Sequence, residues 1–155
     1  MTATDPALTA LAQGWSALAL LHGRIEAHIE RALQAGHDLS VREYSLLDVL
    51  SRQHNGEGGH LQMKQVADAV VLSQSATTRL VTRLEDRGLV RRLDGAADRR
   101  SVLVEATPAG IDLYRRAAPV HAAAVAQHLG GHLSDAEQET LVTLMTRLYE
   151  KACAG

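Results

Sequence analysis

The chain of 155 residues has no phenylalanine, one tryptophan and one cysteine, Cys153. A single cysteine cannot form an internal disulfide, so we expect a reducing, cytoplasmic compartment. No apolar run of about 18 residues is present to span a membrane, and no signal-peptide pattern is expected at the N-terminus. With so few aromatic side chains, the core must consist mostly of Leu, Val, Ile and Ala, which favours helices over a β-sandwich.

Motifs of the common enzyme classes are also missing. The sequence has no Gly-rich phosphate loop, no nucleophile elbow and no zinc-hydrolase helix motif, so we predict neither enzymatic activity nor a cofactor. The eight histidines raise the possibility of a metal site. His128 and His132 are four residues apart, but Gly130 and Gly131 break the helix that would direct both rings to one ion, so no metal site is predicted.

Capping residues and hydrophobic periodicity predict six helices and one hairpin. The first helix has apolar residues at three- and four-residue spacing and ends near Gly36. After Gly88 the period changes to two, and the runs LVRRL and SVLVEA predict a two-stranded hairpin. The predicted helix starts are Asp5-Pro6, the Ser40–Glu43 capping box, Gln62, Ser73, Thr107-Pro108 and the Ser134–Glu137 capping box.

This order of elements predicts a mainly α fold. It corresponds to a winged helix-turn-helix with a two-stranded β wing, and to a helical dimerisation region formed by the N- and C-terminal helices. We divide the chain into an N-terminal dimerisation helix (1–38), a winged helix-turn-helix domain (39–107) and C-terminal dimerisation helices (108–155). The outer helices each have one apolar side, which would form a large exposed patch on a monomer. A homodimer is therefore expected.

Arginine is concentrated in one window of the chain. From Ser73 to Ser101 there are seven arginines and four acidic residues, a net charge of +3, whereas the whole chain has −2. Such a local reversal of sign indicates a surface that faces phosphate groups. The alternative is an ordinary solvated helix and turn, so the pattern around the charges has to separate the two interpretations.

The helix that follows Ser73 has two different sides. The inner side contains Thr77, Leu80, Val81 and Leu84. The opposite side is hydroxylic and includes a long cation, whereas a plain amphipathic surface helix would more usually have Glu and Lys there. Small polar side chains let a helix enter the major groove and contact phosphates or base edges. The residues of this segment that we predict to contact DNA are Ser73, Gln74, Ser75, Thr77, Thr78, Arg79, Thr82 and Arg83.

The hairpin adds further candidates for DNA binding. Arg91 lies on the first strand, and Asp98, Arg99 and Arg100 lie where the tip returns to the second strand. An arginine on a protruding tip can enter the minor groove, where negative potential is concentrated. Asp98 can orient such an arginine, or an Asp–Arg pair can simply stiffen the turn, and both interpretations remain open.

The segments LSQSATTRLVTRLEDRGLVRR and DRRSVLVEATPAG resemble the recognition helix and the wing of the MarR-type transcriptional regulators. In that family's Asp-x-Arg pattern, Asp98 and Arg100 match the motif, and Arg99 is the freer cation. Gln62 departs from the family, which more often has Thr or Ser at that helix start. The resemblance implies a homodimer joined by its terminal helices and a near-palindromic DNA operator, usually bound by a repressor.

The resemblance also implies an effector site between the dimerisation helices and the winged domain. Effectors in the family are often small aromatic or phenolic anions, and in some members an oxidant or a metal. Trp15, His22 and Tyr44 are our candidates for lining the pocket, with His22 partly buried. Cys153 lacks the cationic setting of a reactive thiol. A redox- or metal-responsive regulator of the same fold remains an alternative, as does a protein-interaction module that has lost DNA binding.

Overall fold

The structure is a computed structural model that describes residues 5–54, 61–94 and 102–154. These residues form a mainly helical fold with a small antiparallel sheet, which confirms the predicted fold class. No helix in the described ranges is long and apolar enough to cross a membrane. In chain order the elements are α1 (Pro6–His37), α2 (Val41–His54), β1 (Leu61–Gln62), α3 (Met63–Val70), α4 (Gln74–Asp86), β2 (Val90–Asp94), β3 (Val102–Ala106), α5 (Pro108–Leu129) and α6 (Asp135–Cys153).

The sheet has three strands, in the order β1-β3-β2. β2 and β3 form the predicted hairpin, with Val90 opposite Ala106 and Asp94 opposite Val102. The additional strand, β1, is two residues long and pairs antiparallel with β3. The predicted two-stranded wing is therefore confirmed, whereas β1 was not predicted, because two residues are too few to show the alternating pattern that identifies a strand in a sequence.

Side chains cap the helices at the predicted residues. At the start of α2, the Glu43 N–H donates to Ser40 Oγ and the Ser40 N–H donates to Glu43 Oε1, both at 3.0 Å. Ser134 and Glu137 form the same reciprocal pair at the start of α6, at 2.8 and 3.3 Å. These bonds satisfy N–H groups that have no partner within the helix, so the capping signals correctly predict where the helices begin.

The packing of the chain divides it into two compact units. The winged unit comprises residues 29–121, and the terminal unit comprises residues 1–28 and 122–155. The functional division at residues 38 and 107 stays a prediction, because packing alone does not test it. The winged unit has an aliphatic core, as the composition predicts. Its largest fully buried apolar side chains are Leu33, Leu39, Leu46, Leu47, Leu50, Val66, Leu80, Val81, Leu84, Val90 and Val104.

The start of α5 is held against the backbone of the winged unit. Thr107 Oγ1 accepts a hydrogen bond from the Gly110 N–H at 3.1 Å and donates one to the Gly88 carbonyl at 2.7 Å. The Thr107 N–H donates to the Leu89 carbonyl at 3.0 Å. Together these bonds fix α5 to the segment that connects α4 to β2.

The turn between α3 and α4 contains a strained residue. Val71 ends α3 in the left-handed conformation, with φ 54° and ψ 52°, and its N–H donates to the Ala67 carbonyl. A β-branched side chain at positive φ is unfavourable, and glycine or asparagine is the usual residue in this conformation. The Val71 side chain is 82% exposed, so packing offsets little of the strain.

Replacing Val71 with asparagine should therefore stabilise the protein, by about 1 kcal/mol, because asparagine tolerates the left-handed conformation. Val71→Ala should give a smaller gain, since alanine removes the β-branch but lacks the short polar side chain that hydrogen-bonds locally in this conformation. Equilibrium denaturation of the two variants at one protein concentration measures the difference. A Val71→Asn protein less stable than the wild type would show that the valine side chain makes a stabilising contact.

The terminal unit exposes most of its apolar side chains. No residue of α6 is buried, and the buried residues of α1, Ile29 and Leu33, belong to the winged unit. Large exposed apolar residues in the described part of the terminal unit are Leu8, Leu11, Trp15, Leu18, Leu20, Leu21, Val142, Leu144, Met145 and Leu148. An apolar surface of this kind marks an interaction site.

Candidate nucleic-acid interface

The Ser73 side chain begins α4 as predicted. Its Oγ accepts a hydrogen bond from the Ala76 N–H at 3.2 Å. The free N–H groups of the first turn and the positive end of the helix dipole create a setting that favours a phosphate. On the inner side, Leu80, Val81 and Leu84 are buried in the winged unit. This packing fixes which side of α4 is available for binding.

Thr77 is a correction to the predicted DNA-binding set. Its side chain is fully buried, and its Oγ1 donates to the Ser73 carbonyl at 2.8 Å. It lies on the same side of α4 as Leu80 and Leu84, so it belongs to the core and cannot contact DNA. Because a threonine hydroxyl can bond to the carbonyl four residues earlier, threonine can occupy an apolar position within a helix.

The other predicted residues of α4 and its cap are exposed. They are Ser73, Gln74, Ser75, Thr78, Arg79, Thr82 and Arg83. Thr78 Oγ1 donates to the Gln74 carbonyl and Thr82 Oγ1 donates to the Thr78 carbonyl, both at 2.9 Å. Because each hydroxyl has a single proton, these threonines offer acceptors and methyl groups in this state. Such groups suit base amino groups and thymine methyls better than phosphate oxygens.

Arg79 and Arg83 form no ion pair with any residue that the structure describes. The next arginine along the chain differs, because Arg87 lies 3.0 Å from the Glu43 carboxylate. An unpaired guanidinium retains its charge and its five N–H donors for a phosphate or for guanine. Arg79 and Arg83 are therefore the strongest anion-binding groups of α4.

The arginines of β2 are partly neutralised. Arg91, predicted to contact DNA, forms an ion pair with Glu105, which lies directly opposite it on β3. Arg92 Nη2 donates to Thr82 Oγ1 at 2.5 Å, which links β2 to α4. The contribution of this strand to a positive surface is thus smaller than its arginine content suggests. The predicted contacts of the wing tip, Asp98, Arg99 and Arg100, lie outside the described residues.

A groove of about 590 Å³ lies beside α4. Five of its lining residues can bind an anion or a base edge: Arg42, Thr78, Arg79, Thr82 and Arg83. None of the described lining residues is acidic. Arg42 was not predicted, because it belongs to α2 and only the folded chain brings it beside α4. No local pattern in the sequence could have identified it.

Tyr44, a candidate for the effector pocket, is buried in the winged unit. Its ring stacks on His121 with centroids 4.4 Å apart, and it lies 5.6 Å from the Tyr114 ring. The Tyr114 hydroxyl donates to Asp48 Oδ1 at 2.7 Å. Burial raises the pKa of the Tyr44 hydroxyl, and the Asp48 carboxylate adds to this effect. Burial lowers the pKa of His121, although the Asp48 carboxylate opposes this effect.

The other two pocket candidates belong to the terminal unit. Trp15 is 70% exposed, and His22 is exposed with its Nδ1 3.8 Å from the Glu26 carboxylate. The expectation that His22 is partly buried is wrong for the single chain, because residues 6–24 of α1 are all exposed. A pocket lined by Trp15, His22 and Tyr44 stays a prediction.

A histidine pair joins α1 and α5 within the terminal unit. His28 Nδ1 and His128 Nε2 are 2.7 Å apart, a hydrogen bond in which one imidazole donates to the other. The pair supplies two nitrogen atoms of the type that metal ions bind, whereas structural metal sites usually have four ligands. In the described ranges, no group of three or more His, Cys, Asp or Glu side chains is arranged to hold a metal ion.

Comparison with known proteins identifies similar chains among transcriptional regulators. A family model described as the MarR family matches residues 37–101. The chain is 32% identical over 149 residues to a Thauera aromatica protein named as a transcriptional regulatory protein for the hcr operon, and the match covers 85% of each chain.

Solved structures give the same result. Sco3205, a MarR family regulator from Streptomyces coelicolor in complex with DNA, has a TM-score of 0.78 and 28% identity, covering 91% of this chain and 90% of that one. BpsR of Bordetella bronchiseptica, whose DNA binding is regulated by 6-hydroxynicotinic acid, has a TM-score of 0.76 and 25% identity, covering 88% and 98%.

Proposed function

The chain belongs to the MarR family of winged-helix, DNA-binding transcriptional regulators, and from this premise we propose that it is a repressor whose homodimer binds a near-palindromic operator and is released by a small-molecule effector. The outer side of α4 is the main support, because it combines exposed hydroxyl and amide groups with two unpaired arginines, Arg79 and Arg83. Since a regulator must reach the chromosome, we place the protein in the cytoplasm.

The exposed apolar side chains of the terminal unit support the homodimer. A two-fold interface buries the same patch on both protomers, so one exposed surface per chain is sufficient. Two-fold symmetry would also place the two α4 helices in major grooves about one helical turn, 34–36 Å, apart. We therefore propose an operator with two half-sites in inverted orientation.

For the effector we propose a small aromatic or phenolic anion. The support is indirect: BpsR, a similar chain, responds to an aromatic acid, and Tyr44 and His121 present stacked rings in the winged unit. A redox or metal signal has no comparable support among the described residues: Cys153 lies at the C-terminal end of α6 and not at a helix N-terminus, and no group of three or more His, Cys, Asp or Glu side chains is arranged there to hold a metal ion.

The test of operator binding is selection of duplexes by the full-length protein from a random-sequence DNA pool. We expect an inverted repeat to be enriched, and the affinity for it to fall steeply as salt rises, because phosphate contacts release counterions. If no sequence is enriched and the affinity for mixed-sequence DNA does not depend on salt, the chain is a protein-interaction module and the proposed function is wrong.

Arg79→Ala should weaken binding to the selected operator by about 1–3 kcal/mol, with relaxed preference at one base pair, because an arginine that contacts guanine supplies that discrimination. Fluorescence anisotropy with single-base variants of the operator measures both effects. Thr77→Val provides a structural control, since Thr77 is buried and should not affect the base preference. Unchanged affinity of Arg79→Ala for every duplex would mean that another side of α4 faces DNA. Asp98, Arg99 and Arg100 stay predicted contacts of the wing.

A further inference from the structure

We propose that Arg42, at the start of α2, binds a phosphate of the DNA backbone and so fixes the position of α4 on the duplex. This inference rests on the proposed DNA binding and adds a contact from outside the recognition helix and the wing. Arg42 is the second residue of α2, and its side chain is exposed. It forms no ion pair with the described residues.

The position of Arg42 within the groove is the first argument. The groove beside α4 brings Arg42 together with Arg79 and Arg83, and none of its described lining residues is acidic. Three guanidinium groups without a counter-charge repel one another, and that repulsion is relieved when an anion binds between them. Because DNA has a negative charge on every nucleotide, it can neutralise several cations of one groove at once, which a single small ion does less well.

The second argument is that the Arg42 side chain is already held in place. Its Nη1 donates to the Val70 carbonyl at 3.2 Å. This carbonyl is at the C-terminal end of α3, where carbonyls lack helical partners and the helix dipole favours a cation. The contact uses one of the five N–H donors of the guanidinium, so the others remain available. A side chain that is held before binding loses less conformational entropy when it contacts a phosphate.

The third argument separates a phosphate contact from a base contact. Val70 is the last residue of α3, so its carbonyl lies next to the turn of the helix-turn-helix, one residue before Val71 and three before the N-cap Ser73. A guanidinium attached to this turn is fixed relative to the first residues of α4. Phosphate contacts of this type set the register of a protein on DNA but do not distinguish sequences. Arg42 should therefore affect affinity for all duplexes alike.

The experiment measures binding of full-length Arg42→Ala, Arg42→Lys and Arg115→Ala to two labelled duplexes, the selected operator and a scrambled duplex of equal composition. Arg115 is the matched control, because it is also exposed and without an ion pair among the described residues, but it lies on α5 and does not line this groove. Titrations at several salt concentrations between about 50 and 200 mM give the slope of log affinity against log salt.

For Arg42→Ala we expect about tenfold weaker binding at low salt on both duplexes. The salt slope should become shallower by about two, because each protomer of the dimer loses one phosphate contact worth about 0.9 in slope. Arg42→Lys should retain most of the affinity and slope, since it keeps the charge, and Arg115→Ala should behave like the wild type. Thermal melting of each variant verifies that the fold is retained.

Two results would overturn the inference while leaving the proposed function intact. In the first, the wild type binds with a steep salt slope and Arg42→Ala matches Arg115→Ala. In the second, Arg42→Ala weakens binding only to the operator, which would make it a base contact. An added arm uses inorganic phosphate at constant ionic strength. If phosphate raises the melting temperature of the wild type but not of Arg42→Ala, and Arg42→Ala binds both duplexes as tightly as Arg115→Ala does, the groove binds a free anion and the inference is wrong. A wild type that shows no salt dependence would instead contradict the proposed function itself.

Discussion

Leu11→Glu is expected to convert the proposed homodimer into monomers and to lower operator affinity about a thousandfold or more. Leu11 is 72% exposed on α1, within the apolar surface of the terminal unit. A carboxylate buried in an interface without a partner loses its hydration at a cost of several kcal/mol, and two-fold symmetry introduces the charge twice. A monomer would contact one half-site, so its affinity should approach that of non-specific binding. Sedimentation equilibrium and operator titration measure the two effects.

A matched variant distinguishes loss of the interface from loss of helix structure. Gln13→Glu adds the same charge to the same helix, but Gln13 lies about 200° around α1 from Leu11 at 100° per residue. We expect Gln13→Glu to remain a dimer and to bind the operator. Circular dichroism of Leu11→Glu should retain the signal of the winged unit, whose core does not include Leu11. A Leu11→Glu protein that is dimeric at micromolar concentration would exclude α1 from the proposed interface.

The parts of the fold that could be predicted from the sequence depend on residues that are close together along the chain. The Ser40–Glu43 box is set by side chains three residues apart, and such pairs are visible in the sequence. The inner side of α4 follows from the helical period, and Leu80 and Leu84 are buried as expected. The same period placed Thr77 on the inner side, and including it among the predicted DNA contacts was wrong.

The parts that could not be predicted depend on contacts between distant segments. β1 forms because the backbone of Leu61 and Gln62 pairs with β3, which is far from these two residues in the sequence. Glu105 neutralises Arg91 only because the hairpin register places them opposite each other. Arg42 reaches the groove because α2 packs beside α3 and α4. Counting charges along the chain therefore overestimated the unpaired positive charge of β2. The same count also missed Arg42, because it belongs to another helix.

Gly110→Ala should destabilise the protein strongly, by about 3 kcal/mol or more, which exceeds the usual cost of a single substitution. A Cβ at Gly110 would lie 2.0 Å from the Leu89 carbonyl oxygen and 3.3 Å from Leu47 Cδ2. The carbonyl cannot move away freely, because it accepts the Thr107 N–H and leads into β2. The start of α5 would have to separate from the winged unit, breaking the Thr107 bonds. This close approach gives a physical reason for the glycine in the segment TPAG, which the family resemblance identified only as a motif.

Gly36→Ala is the control for this substitution, since Gly36 lies in α1 and a Cβ there would meet no atom within 4 Å. Alanine favours a helix over glycine by about 1 kcal/mol, so Gly36→Ala should leave stability unchanged or raise it. Thermal and denaturant unfolding must be compared at one protein concentration, because the stability of the proposed dimer would depend on it. For a chain of this size, 3 kcal/mol corresponds to a fall of roughly 6–12 °C in Tm. If Gly110→Ala melts within a degree or two of Gly36→Ala, α5 can shift without cost, and its start is not rigidly attached to the winged unit.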